Sequence, residues 1–217
     1  MGDLLNIRKL AYEFFGSAIL LIAVVGSSFM AAQLTDDRAL SLLINAAVTA
    51  ATLGIIIKVG APISGAHYNP VVTFANVMLK KSTPIESITY LASQFLGAIT
   101  GVMTANAMFA SDVIASSSIS RSGTALVIGE VVATTGLVYL ALTANEKSAW
   151  KLIPLWIFAA YFFTSSTSFA NPAVTISRIF TEAPSGINAA SVVPFVAAQF
   201  LGALIAMILR KAEKKYE

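Results

Sequence analysis

The chain has 217 residues, 57% of them hydrophobic and 12% charged, with a mean hydropathy of +0.78; this balance belongs to an integral membrane protein and excludes most soluble enzyme classes. It has no cysteine, which rules out disulfides and thiolate metal sites, and one histidine, His67, too few for an imidazole-rich metal or catalytic cluster. The net charge of +3 arises from basic residues at the edges of apolar runs, a pattern that sets membrane topology rather than nucleic-acid binding, and no cofactor is implied.

Taken in order, the first apolar run is Leu10 to Ala32. Arg8 and Lys9 precede it as in a signal peptide, but its 23 residues are too many for such a core and it carries Glu13, so it reads as a spanning helix. Met1-Gly2 does not read as a myristoylation start, because Asn6 stands where Ser or Thr is needed. Further spans are expected over Ala39 to Ile57, Ile85 to Phe109, Gly123 to Ala144, Ala149 to Thr164 and Ala189 to Leu209, since about 20 residues at 1.5 Å each cross roughly 30 Å of hydrocarbon. Two apolar pieces, Pro70 to Leu79 and Pro172 to Phe180, are too short to cross, and each begins with Asn-Pro. Trp150 reads as a headgroup anchor, and the basic tail "RKAEKKYE" as a solvated end beside anionic lipid.

The chain repeats itself. "NPVVT" at Asn69 returns as "NPAVT" at Asn171, "QFLGA" at Gln94 returns at Gln199, and Glu13 in the first span is matched by Glu130 in the fourth. With three crossings in each half, approximately 1–110 and 120–217, the second half must enter from the opposite face, which is an inverted-topology repeat within one domain, 1–217. Of the 14 Lys and Arg residues, eleven fall on the side of the termini, so both termini are expected in the cytoplasm. Short joints leave no room for a soluble domain, and a prokaryotic inner membrane is the expected location.

Proline ends a helix and buried asparagine is costly without partners, so Asn-Pro inside apolar sequence needs a reason. The reason is a half-helix starting in the bilayer core: asparagine caps free N–H groups of the first turn, and proline follows where no donor is needed. The preceding "GAPISGAHY" and "TSSTSFA" are expected to be irregular and to expose carbonyls in a wet cavity. Two N-termini meeting head to head would repel cations and protons while offering donors to neutral solutes.

These features, together with "SGAHYNP", "ANPAVT", "QFLGA" and the paired glutamates, resemble the aquaporin, or major intrinsic protein, family over nearly the whole chain. The resemblance implies an all-α membrane protein of six transmembrane helices plus two re-entrant half-helices. It also implies a homotetramer with one pore per subunit, pore motifs Asn69, Pro70, Val71 and Asn171, Pro172, Ala173, and Glu13 and Glu130 accepting hydrogen bonds from the re-entrant loops.

Two departures stand out. Val71 replaces the commoner alanine and is expected to add bulk beneath the midplane. Val174 stands where the family usually has arginine. By family spacing, Thr49, Ala159, Ser168 and Val174 are the expected filter residues, a small-sided opening suited to glycerol-like polyols or undissociated weak acids as well as water. Arg178, four residues beyond Val174, is read as snorkelling to the outer interface, with a displaced cation of the outer vestibule as the alternative. His67 is read as a neutral loop anchor, Gln94 and Gln199 as interhelical partners beside Gly97 and Gly101, and Tyr161 to Phe163 as packing. Against the channel stand a secondary transporter using Glu13 and Glu130 in proton coupling, and a structural membrane protein with a closed pore.

Overall fold

The computed structural model describes residues 6–213 and residue 215; Met1-Gly2 and Lys214 lie outside them. The described residues form eight α-helices and no strand: α1 Ile7–Leu34, α2 Arg38–Ser64, α3 Pro70–Met78, α4 Pro84–Met108, α5 Thr124–Thr143, α6 Glu146–Phe163, α7 Pro172–Ser177 and α8 Ala189–Glu213. A single 3₁₀ turn, Arg178–Phe180, continues α7. Five of them (α1, α2, α4, α5 and α8) are long and apolar enough to cross a membrane. The sixth expected span, α6, has 18 residues but carries Glu146, Lys147 and Lys151 in its first two turns.

Local sequence explains the boundaries. Asn6, Asp37, Thr83 and Asn145 cap α1, α2, α4 and α6 with side-chain oxygens. The end of α2 departs from expectation: the helix runs past Lys58 and Gly60, holds Pro62 within its last turn, and stops only at Gly65, whose φ of 84° is left-handed. All of "GAPIS" is therefore helix, and the irregular stretch shrinks to residues 65–69.

The packing is paired. Helix α1 packs on α2 and α4, and α5 packs correspondingly on α6 and α8, while α2 against α6 joins the halves. Glycines set the closest approaches: a Cβ at Gly97 or Gly101 would run into the backbone of Phe14 or Ala18 in α1, and one at Gly202 into the backbone of Val131 in α5. Each "QFLGA" thus presses its glycine on a neighbouring main chain and buries its glutamine one turn away. The half-helices α3 and α7 touch each other and are both flanked by α4 and α8. Large apolar side chains such as Phe15, Ile55, Leu155 and Ile208 cover the outside.

Candidate functional site

The two Asn-Pro segments meet. Asn69 caps α3 by accepting from the Val71 N–H at 3.1 Å, and Asn171 caps α7 by accepting from Ala173 N–H at 2.9 Å and Val174 N–H at 3.3 Å. Both asparagines are extended, and each is followed by proline as the first helical residue. The amide nitrogens then cross over: Asn69 Nδ2 donates to the Ala170 carbonyl and Asn171 Nδ2 to the Tyr68 carbonyl, both at 2.8 Å. Each acceptor immediately precedes the opposite asparagine, so the two loops clasp each other reciprocally. One N–H of each amide is left for the cavity that both asparagines line.

The loops reach this geometry at a cost. Gly65, Ala66 and Tyr68 before Asn69 have positive φ, as do Thr167, Ser168 and Ala170 before Asn171. The left-handed residues sit four, three and one positions ahead of the asparagine in both loops. Five of the six are not glycine, at about 1–3 kcal/mol each. What holds them is a buried carboxylate behind each loop. Glu13, fully buried, accepts from Ser64 Oγ (2.7 Å), His67 N–H (3.0 Å), Tyr68 N–H (2.7 Å) and Gln94 Nε2 (2.8 Å). Glu130, also fully buried, accepts from Phe169 N–H (2.9 Å), Ala170 N–H (2.9 Å) and Gln199 Nε2 (2.6 Å). The same glutamine nitrogens donate to Thr73 and Thr175, whose hydroxyls bond the carbonyls of Asn69 and Asn171. His67 turns Nδ1 to Thr73 Oγ1 at 3.0 Å and stands edge-on to Tyr90.

A cavity of about 70 Å³ runs past the asparagines, room for only a few water molecules at roughly 10–15 Å³ each. Its walls are apolar stripes at helical spacing: Leu20 and Val24 of α1, Leu53 and Ile57 of α2, Leu137 and Ala141 of α5, Ile153 and Ile157 of α6. His67 borders it towards the side of Lys9 and Lys81, and Arg178 borders both this cavity and a larger one of about 370 Å³ on the side of Arg38 and Arg121.

Thr49, Ser168 and Val174 line the narrow cavity. Ala159 does not: it is exposed on the outer face of α6. The cavity-facing residues of that helix are Ile153, Ile157 and Tyr161, and position 159 lies about 200° around the helix from either Ile157 or Tyr161. Tyr161, expected to be packing, meets Thr49 Oγ1 with its hydroxyl at 3.2 Å. The spacing of four in 153, 157 and 161, matching Thr49, Leu53 and Ile57 in α2, was the available signal. Val71 is fully buried in a cluster that includes Val138 and Ala203, and of the two valines it is Val72 that lines the cavity. Pro70, Pro172 and Ala173 are buried beside the asparagines.

Arg178 does not snorkel. It is 3% exposed, lies over the Phe169 ring at 3.5 Å and donates from Nε to the Ser185 carbonyl at 2.5 Å. Because Val174 and Arg178 are one helical turn apart, the guanidinium reaches the end of the cavity on the side of Arg38 and Arg121 from one turn further along. Arg121, in the loop before α5, donates to the carbonyls of Gly186 and Pro184. Burial lowers its pKa from the ordinary value, against the opposing influence of Tyr161 and Glu130.

The sequence profile of the family described as Major intrinsic protein matches residues 2–170. Aquaglyceroporin AqpS of Rhizobium meliloti (strain 1021) is 40% identical over 208 residues, covering 94% of this chain and 89% of that protein. A probable aquaporin TIP-type of Medicago truncatula is 38% identical over 137 residues, covering 58% of this chain and 52% of its own length. The X-ray structure of the aquaglyceroporin from Plasmodium falciparum superposes with a TM-score of 0.74 over 92% of this chain and 93% of that one, at 18% identity, a likeness of fold.

Proposed function

Because the chain belongs to the major intrinsic protein family, we propose that it is a passive transmembrane channel for water and small uncharged solutes, glycerol-like polyols and undissociated weak acids among them. The observation that carries this reading is the reciprocal clasp of Asn69 and Asn171 beside a narrow cavity. A solute oxygen passing there meets one free N–H from each amide between apolar walls, so it is oriented without being held. Each half-helix directs roughly half a positive charge at that point, which disfavours cations and protons but not neutral molecules.

Glu13 and Glu130 anchor the two loops in this reading. Their oxygens are occupied by loop N–H groups and glutamine amides, an arrangement that favours anchorage over the proton coupling of a secondary transporter. At the outer end, Thr49, Tyr161, Ser168 and Val174 form the filter with Arg178 beside it. Tyr161 makes this opening narrower and more polar than alanine at that place would. The functional unit is one domain of two inverted repeats, approximately 1–110 and 120–217. It assembles as a homotetramer in the cell membrane with both termini in the cytoplasm, its exposed apolar helix faces meeting lipid or neighbouring subunits.

Proteoliposomes test the reading. Rapid osmotic shrinkage with a weak temperature dependence and no response to a proton gradient is expected, for water and for glycerol. Saturable accumulation driven by a proton gradient would replace the channel with a transporter, and shrinkage no faster than in empty vesicles would leave a closed structural protein.

A further inference from the structure

The outer chamber holds two cations outside any ion pair, Arg178 buried and Arg121 partly buried. Arg178 and Arg121 place their guanidinium groups on the Phe169 ring, 3.5 and 5.0 Å from its centroid. The ion pairs among the described residues are Lys9–Glu86 and Arg210–Glu213, so neither of these arginines has a carboxylate in contact, and the buried Glu130 acts on both only from a distance. Arg38 and Asp36 also line the chamber, but both are exposed at its rim, in water, and opposite in sign.

The donors are already oriented. Arg178 is fixed through Nε alone, and neither of its terminal nitrogens has an acceptor among the described residues. Arg121 spends Nε and one terminal nitrogen on backbone carbonyls and keeps the other. On the same wall the Ser185 hydroxyl is buried with no partner. Uncompensated buried charge is costly unless a ligand completes it, and a guanidinium edge matches the two oxygens of a carboxylate. The chamber, about 370 Å³, has space for one.

We propose that the outer chamber is a binding site for a small carboxylate, held by the free guanidinium N–H groups of Arg178 and Arg121 and by the Ser185 hydroxyl. The site does not require the narrow cavity to conduct. Its consequence does rest on the channel reading: the anion of a weak acid is concentrated at the mouth, while its uncharged form is what the cavity passes.

Formate, the smallest carboxylate, is the probe. The full chain in detergent is unfolded thermally while chloride is exchanged for formate at constant ionic strength. A saturable rise in the midpoint, roughly 5 °C at a hundredfold excess over half-saturation, is expected. Arg178→Gln should abolish the rise and Arg121→Gln should move half-saturation at least tenfold, whereas Lys147→Gln, at the first turn of α6, should leave it unchanged. If Arg178→Gln does not fold, Arg121→Gln still decides. A flat wild-type titration overturns the site, as does a rise that survives the arginine substitutions or is lost equally in Lys147→Gln. Vesicle flux is measured separately, so a failure of conduction and a failure of anion binding are told apart.

Discussion

Replacing Asn171 with alanine removes three hydrogen bonds at once: the two that cap α7 and the one that reaches the Tyr68 carbonyl. Losing an asparagine cap costs about 1 kcal/mol, a hydrogen bond between segments in a membrane protein about 0.6 kcal/mol, and leaving a carbonyl partly dry about another 1 kcal/mol. The sum is about 2–3 kcal/mol for Asn171→Ala, and Asn69→Ala should cost a similar amount by the same reasoning. The two residues never bond directly, yet each holds the loop that carries the other. Once one substitution has released a loop, the second has less to lose, so the double variant should fall short of additivity by about 1 kcal/mol. Equilibrium unfolding in mixed micelles, followed by circular dichroism, measures all three variants. Additivity within about 0.3–0.5 kcal/mol would refute the reciprocal clasp, and single losses below that size would refute its contribution to stability.

Glu130→Gln replaces an all-acceptor group facing three donors with one that brings its own NH₂; a loss of about 2–3 kcal/mol in unfolding is expected, and a neutral result removes the anchoring role. Tyr161→Phe deletes the hydroxyl that meets Thr49. It should change stability by less than about 1 kcal/mol while at least doubling the ratio of glycerol to water permeability in vesicles, and an unchanged ratio takes Tyr161 out of the filter. Gly101→Leu drives a side chain into the Ala18 backbone; destabilisation of about 1–3 kcal/mol or more, seen as a lowered unfolding midpoint, is expected, and a wild-type midpoint contradicts the α1–α4 packing.

Hydropathy located the spans, and the repeated Asn-Pro, Glu and "QFLGA" strings located the cap, the buried acceptor and the close contact, because each is a local chemical requirement written in adjacent letters. Facing direction was harder to read. Ala159 and Tyr161 are both plausible on α6, and only the neighbouring helices determine which stripe looks inward; the same holds for Val71 against Val72. Arg178 departs from its sequence expectation because an arginine near a membrane edge ordinarily reaches for water, whereas here Phe169 and the Ser185 carbonyl keep it inside. The apolar run ends at Ile57, yet α2 continues to its left-handed glycine.

The crossing bonds join residues 101 and 103 positions apart, and this separation imposes an order on biogenesis. When the ribosome has delivered α1 to α4, the Asn69 amide has no Ala170 carbonyl to reach and the Tyr68 carbonyl has no Asn171. The early half already carries Glu13 and Gln94 to hold its own left-handed turns, but the two crossing bonds can close only in a late step, when the second loop arrives. A nascent chain arrested before α7 should therefore leave the Asn69 loop more open to protease or labelling reagents than it is in the full chain, and full protection should appear only after residue 171 has emerged.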